Sequence, residues 1–203
     1  ALNIQGISYA IRGESEQAVE YYGKSLALNR SIGNESGVRA TLVNIGTAHI
    51  RQGDLSQALK HFKESLKISE KQDDTIGITD NLINLAGIYL DMDMNDKAIS
   101  YYREALQMLD TTDKRRRANC YNGLGGVYHK VKEYEQALDN YRMSIQLSRK
   151  LGDLRAEMVS SINTGLMYKQ LGQYGSAMQH YRRGLDISRA IDANIGEARA
   201  LNS

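Results

Sequence analysis

The 203-residue chain has no proline, a single cysteine and a single phenylalanine. One cysteine cannot close a disulfide within the chain, and it rules out any CxxC zinc site. No apolar run approaches the ~18 residues a membrane-crossing helix needs, and the opening residues do not read as a signal peptide. The expected setting is the cytoplasm. With no proline, the turns must be closed by other residues. Catalytic motifs are lacking too. His49, His61, His129 and His180 belong to no HExxH and no local triad. His49 has no second His or Cys at ligand spacing and is read as a packing residue. Gly123, Gly125 and Gly126 have no strand before them and no GK[ST] after, so they are not read as a phosphate loop. The chain is read as non-enzymatic, with no metal and no cofactor.

What the chain does have is a period. Tyr9, His49, Tyr89, Tyr128 and Tyr168 follow one another at steps of 40, 40, 39 and 40 residues. Ala18, Ala58, Ala98, Ala137 and Ala177 keep the same steps, as do Tyr22, Phe62, Tyr102, Tyr141 and Tyr181. Gly6, Gly46, Ala86, Gly125 and Gly165 lie three residues before the first set, one helical turn away on the same face. Five repeats of this length indicate stacked supersecondary units rather than one central core. Within each unit a small residue on a first helix and an alanine on a second allow close approach, and the aromatics are expected to fill the gap to the next pair. Gly13, Gly53 and Gly172 should end the first helices, with Asp93 and Lys132 as less favourable substitutes. Cys120, in the fourth first helix, is read as a packed small hydrophobe.

The pattern Gly-x-x-Tyr, then Ala, an aromatic and a small residue (Ser25, Ser65, Ala105, Ser144, Gly184) resembles the tetratricopeptide repeat along the whole chain. The resemblance implies an all-α fold, a right-handed superhelical solenoid of antiparallel helix pairs. Five repeats are expected at about 1–34, 35–74, 75–113, 114–153 and 154–193, followed by a truncated sixth first helix at 194–203. The standard repeat is about 34 residues; the extra residues here fall after the second aromatic. The turns between repeats carry Gly33-Asn34, Asp73-Asp74, Gly152-Asp153 and Asp192 where a proline is common. This lengthened form is similar to Pins-type scaffolds, kinesin light chains, the repeat regions of bacterial signalling proteins and Rap-type peptide receptors. A chain that starts and stops within a repeat is expected to be a piece of a longer protein.

Net charge is +2 but uneven: residues 1–113 hold 11 Lys/Arg and 16 Asp/Glu, and residues 114–203 hold 15 and 8. Such polarity suits an acidic partner at the basic end or head-to-tail self-association. The densest basic run, Lys114-Arg115-Arg116-Arg117, has no interleaved aromatics, so it lacks a stacking platform for single-stranded nucleic acid.

In arrays of the resembling family the first helices line a concave groove, which makes their free faces the candidate binding surface. The stripe opposite the Gly/Tyr face includes Val43, Thr47, Ile50 and Arg51, then Leu90 and Asp91, His129 and Lys130, and Leu166 and Lys169. Asn44, Asn84 and Asn163 recur five residues before the aromatic position, and Asn122 is one residue off that register. Asparagine is a poor helix residue. Its amide can pair with an extended peptide backbone, or it can tie one helix to its neighbour. The carboxylate clamp of chaperone-binding arrays needs asparagine where Ile7, Thr47, Gly87, Gly126 and Leu166 stand, so that activity is not expected. The expected function is a protein- or peptide-binding scaffold, the interaction or sensory region of a larger signalling protein. Arg51, Asp91, Lys130 and Lys169 would give selectivity. The alternative is a structural module stacking through its ends.

Overall fold

Turn chemistry fixes the helix boundaries. Gly53 takes φ +78°, and the two amides from it onward donate back to Ile50 O and His49 O at 3.0 and 2.9 Å. This left-handed closure satisfies the last carbonyls of one helix. The next residue, Asp54, then caps the following helix by accepting from Gln57 N at 3.0 Å. The same pairing of a left-handed residue with a capping side chain recurs at Gly33-Asn34, Asp73-Asp74 and Gly152-Asp153. It does the work for which other sequences use proline. Asp93 and Lys132 hold the glycine position with φ +59° and +64°, a conformation that costs an L-residue about 1–2 kcal/mol.

The computed structural model describes the backbone of residues 1–201 and the side chains of residues 1–192. The expected truncated helix at 194–203 lies outside the residues whose side chains are described. Ten helices and no strand occur among the described residues. They are α1 (Leu2–Ile11), α2 (Ser15–Ser31), α3 (Glu35–Gln52), α4 (Leu55–Lys71), α5 (Thr75–Asp91), α6 (Asn95–Met108), α7 (Lys114–Lys130), α8 (Tyr134–Leu151), α9 (Leu154–Gln170) and α10 (Tyr174–Leu201). The all-α fold of paired helices is thus as the repeat implies. The added length of each repeat lies in the helices, since turns such as Gly53-Asp54 stay short. The chain forms two compact units, Ala1–Met108 with α1–α6 and Leu109–Ser203 with α7–α10.

Tyr22 and Tyr141 share core clusters with residues of the next pair, as expected, and in both units the second-helix aromatic also lies on the glycine of its own first helix. The cause is the missing Cβ. A methyl added to Gly46 would sit 2.7 Å from the Phe62 ring, one on Gly125 2.6 Å from the Tyr141 ring, and one on Gly165 2.8 Å from Tyr181. Gly6 meets Tyr22 in the same way. In the third repeat Ala86 and Tyr102 are buried together. Around these contacts the first unit packs Ala18, Leu26, Val38, Leu42, Ile45 and Ala48, and the second packs Ala137, Leu138 and Met167. Burial pushes the Tyr141 phenol up to about 12. Cys120 is fully buried, as its packing role requires.

Successive pairs are joined by a polar seam. Ser25 and Thr41 place their hydroxyls 3.5 Å apart, and Ser144 and Ser160 2.9 Å apart. Buried hydroxyls need such partners.

Two glycines separate the packing role from helix propensity. Gly125→Val should destabilise by about 1–3 kcal/mol because the ring cannot clear the added methyls. Gly23, mid-α2, has no atom within 4 Å of an added methyl, so Gly23→Ala should stabilise by about 0.8–1 kcal/mol. Urea denaturation checks both; a neutral Gly125→Val would contradict the ring–glycine packing.

Candidate functional site

With the glycine face of each first helix covered by a ring, its other face is open. In the first unit α1 and α3 border a cavity of about 290 Å³ lined by Ile7, Ile11, Tyr22, Asn44, Thr47 and Arg51. Asn44 Nδ2 donates to Asn3 Oδ1 at 3.1 Å, so this amide links α3 to α1. Arg51 Nη1 donates to Ala10 O at 2.8 Å, which leaves further guanidinium donors. On α5, Asn84 is half-buried and Asp91 is exposed at the helix end.

In the second unit a cavity of about 710 Å³ is bordered by Arg115, Asn119, Asn122, Arg155, Val159 and Ser160, among others. Asn122 Oδ1 accepts from Ser160 Oγ at 3.2 Å, which joins α7 to the Ser144–Ser160 pair. Asn163 is half-buried on α9. His129 is half-buried with its ring 6.4 Å from that of Tyr134, and Lys130 and Lys169 are exposed. The structure therefore groups Asn44, Thr47 and Arg51 at one cavity and places Asn122 at another.

Three features escape the sequence reading. First, Asn3, one residue off the asparagine register, is the partner of Asn44. Second, Glu157 is only 2% exposed and receives Arg149 Nε at 2.8 Å and Arg183 Nε at 2.9 Å. Burial pushes its carboxyl up, but the two guanidiniums outweigh this and hold it below the usual range. Its register position carries Val38 and Ile78 in earlier repeats, so an acid there was the available signal. Third, His49 does have a second histidine beside it, contrary to the sequence reading. His61, twelve residues on and across the hairpin, stacks on it with centroids 5.6 Å apart and planes 1° from parallel. Tyr9–Tyr21, Tyr89–Tyr101 and Tyr168–His180 form the equivalent ring pairs. Nδ1 of both His49 and His61 is buried without a partner. Burial first, then the neighbouring His49, pulls the His61 imidazole down. No group of three or more metal-ligating side chains occurs among the described residues, and no described helix is long and apolar enough to cross a membrane.

Both charge clusters make predictions. A lowered histidine stays neutral when folded, while the unfolded chain binds protons below about pH 6.5, so stability should fall as pH drops through that range. His61→Tyr, the residue found at Tyr21 and Tyr101, should flatten the fall in urea midpoint; an unchanged slope would place the proton uptake elsewhere. For Glu157 the sign is set by a lowered carboxyl. Its stabilisation is present above the unfolded value of about 4.3 and is lost as pH falls through the lower folded one. Arg149→Ala with Arg183→Ala strands a buried carboxylate and should cost about 3 kcal/mol at neutral pH, a moderate figure because both guanidiniums are half-exposed. That deficit should narrow in acid, where the stranded carboxyl protonates. A pH-independent deficit would count against the ion pairs.

The tetratricopeptide repeat model matches residues 1–71, 76–150 and 116–190. Solved structures of similar fold include BtubC (BKLC) from P. vanneervenii, with 21% identity over 94% of this chain and 80% of that one and a TM-score of 0.81. A putative kinesin light chain from Podosopora anserina with nearly identical TPR-like repeats has 14% identity, covers 94% of both chains and has a TM-score of 0.72. MamA has 21% identity over 93% of this chain and 96% of that one, with a TM-score of 0.63. No curated protein matches the chain significantly by sequence. Likeness at these identities is one of fold, and tetratricopeptide arrays are in general scaffolds for protein–protein interaction. The ring-on-glycine hairpins and the matched repeats together place the chain in the tetratricopeptide repeat family.

Proposed function

We propose that the first-helix faces bind an extended segment of another protein, and that the chain serves as the interaction or sensory region of a larger signalling protein. The observation that carries the binding role is the mixture of side chains around the open cavities. Exposed Ile7 and Ile11 stand beside Asn44, Thr47 and Arg51 in the first unit. Val159, 44% exposed, stands beside Arg115, Asn119 and Asn122 in the second. Apolar contacts supply affinity, and the surrounding donors fix register. Arg51, Asp91, Lys130 and Lys169 supply selectivity, and the half-buried Asn84 and Asn163 supply amides. The signalling role rests on the lengthened repeat.

A second reading is self-association. It is favoured by exposed apolar side chains in the first pair, where Ile4 is 70%, Ile11 80% and Ile32 65% exposed. A mass that rises with concentration in light scattering, and falls back in Ile4→Lys/Ile32→Lys, would select it.

The binding test is capture of a partner from lysate of the source cells by the parent chain and by Thr47→Glu/Val159→Glu. Both positions are exposed, so circular dichroism should remain unchanged. The variant is expected to retain about a tenth or less of the partner, a loss of roughly 1.4 kcal/mol or more. Equal capture by a folded variant would remove the first-helix faces from the interaction.

A further inference from the structure

We infer that the first-helix face of the second unit, on α7 and α9, docks an acidic protein segment that carries apolar residues beside its carboxylates. This rests on the binding role proposed above and specifies the chemistry of the partner. Three observations support it. The first is the sign of the charge. Helix α7 contains no Asp or Glu from Lys114 to Lys130. The only acid in α9 is Glu157, which is buried and held by Arg149 and Arg183. The carboxylate at the cavity edge, Asp153, caps α9 by accepting from Ala156 N at 3.1 Å. No open carboxylate therefore belongs to either helix of this face.

The second observation is the state of the cations. Arg115 and Arg155 are exposed at the cavity, and neither forms an ion pair with any described residue. By contrast, Arg149 and Arg183 are committed to Glu157, and Arg116 to Asp113 at 2.8 Å. A guanidinium offers a planar fork that matches a carboxylate with two parallel hydrogen bonds. Asn119 and Asn122 line the same cavity and offer amides to a backbone.

The third observation separates a peptide from the other polyanion, nucleic acid. The cavity is lined by Leu151, Leu154, Val159 and Ile191 and by no aromatic ring. Single-stranded nucleic acid is held by stacking on rings, whereas aliphatic side chains of a peptide find matching surface here. The residues of this unit, 109–203, include 15 Lys/Arg and 10 Asp/Glu, so the long-range field also draws an acidic segment.

A displayed random-peptide library panned on the full chain tests this. Panning is repeated on Arg115→Glu/Arg155→Glu and on Lys60→Glu/Lys67→Glu, a control on α4 with the same change in net charge. Enriched peptides should be acidic and interleaved with aliphatic residues. A fluorescein-labelled copy of one of them should bind about tenfold or more weakly to the Arg115/Arg155 variant and unchanged to the control. Its affinity should also fall as salt is raised from about 50 to 200 mM. Enrichment of neutral or basic peptides that Thr47→Glu/Val159→Glu abolishes would overturn the acidic assignment and leave the binding role standing. No enrichment at all would overturn both. Acidic peptides that bind the Arg115/Arg155 variant undiminished would overturn the placement. A labelled single-stranded oligonucleotide that binds more tightly than any selected peptide, and is lost in that variant, would replace the peptide with nucleic acid.

Discussion

The structure depends on an aromatic ring lying against a helix at a residue with no side chain. Gly46 under Phe62 and Gly125 under Tyr141 let two helices approach more closely than a Cβ would allow, since an added methyl would sit 2.7 and 2.6 Å from the rings. The contact occurs in four hairpins, with Ala86 in the glycine's place in the third, and the core clusters around it run from one repeat into the next. Because the ring covers one side of the first helix, the opposite side is not needed to hold the hairpin. Residues such as Thr47 and Val159 can then vary without unfolding it. Binding capacity in this fold follows from that division of faces.

Polar groups hold the hairpins in register. The Ser25–Thr41 and Ser144–Ser160 pairs, Asn44 on Asn3 and Ser160 on Asn122 all join a helix to one of another repeat. Glu157 does the same with charge through Arg149 of the preceding repeat, while Arg183 ties it to the second helix of its own. By consuming the only acid of α9, these two ion pairs leave a first-helix face whose open charges are positive. A contact that stabilises the fold thereby also sets the sign of the surface next to it.

The sequence reading succeeded where contacts are tied to the period. Glycine and ring are sixteen residues apart in every repeat with a glycine there, so self-comparison alone exposes the hairpin. Left-handed turn residues were also legible, even at Asp93 and Lys132, because the register marks their place. The His49–His61 stack was missed because its partners lie across a turn, twelve residues apart, and appear elsewhere as Tyr–Tyr or Tyr–His. The asparagines were legible as a recurrence but not in their partners, since Asn3 lies 41 residues from Asn44. Arg115 and Arg155 share one register position, thirteen residues before Tyr128 and Tyr168, but the recurrence spans only two repeats, where Ser36 and Ile76 stand in the earlier ones, and it is the packing of α7 on α9 that brings them to one cavity.

The central claim is that partners meet the first helices and not the second. Mapping backbone amide shifts while a captured partner segment is titrated into the labelled chain tests this directly. The account predicts that shifts concentrate at first-helix residues such as Thr47, Asn122 and Val159, while Lys60, Gln107 and Met178 on the second helices stay in place. Shifts confined to the second helices, with Thr47, Asn122 and Val159 unmoved, would contradict it.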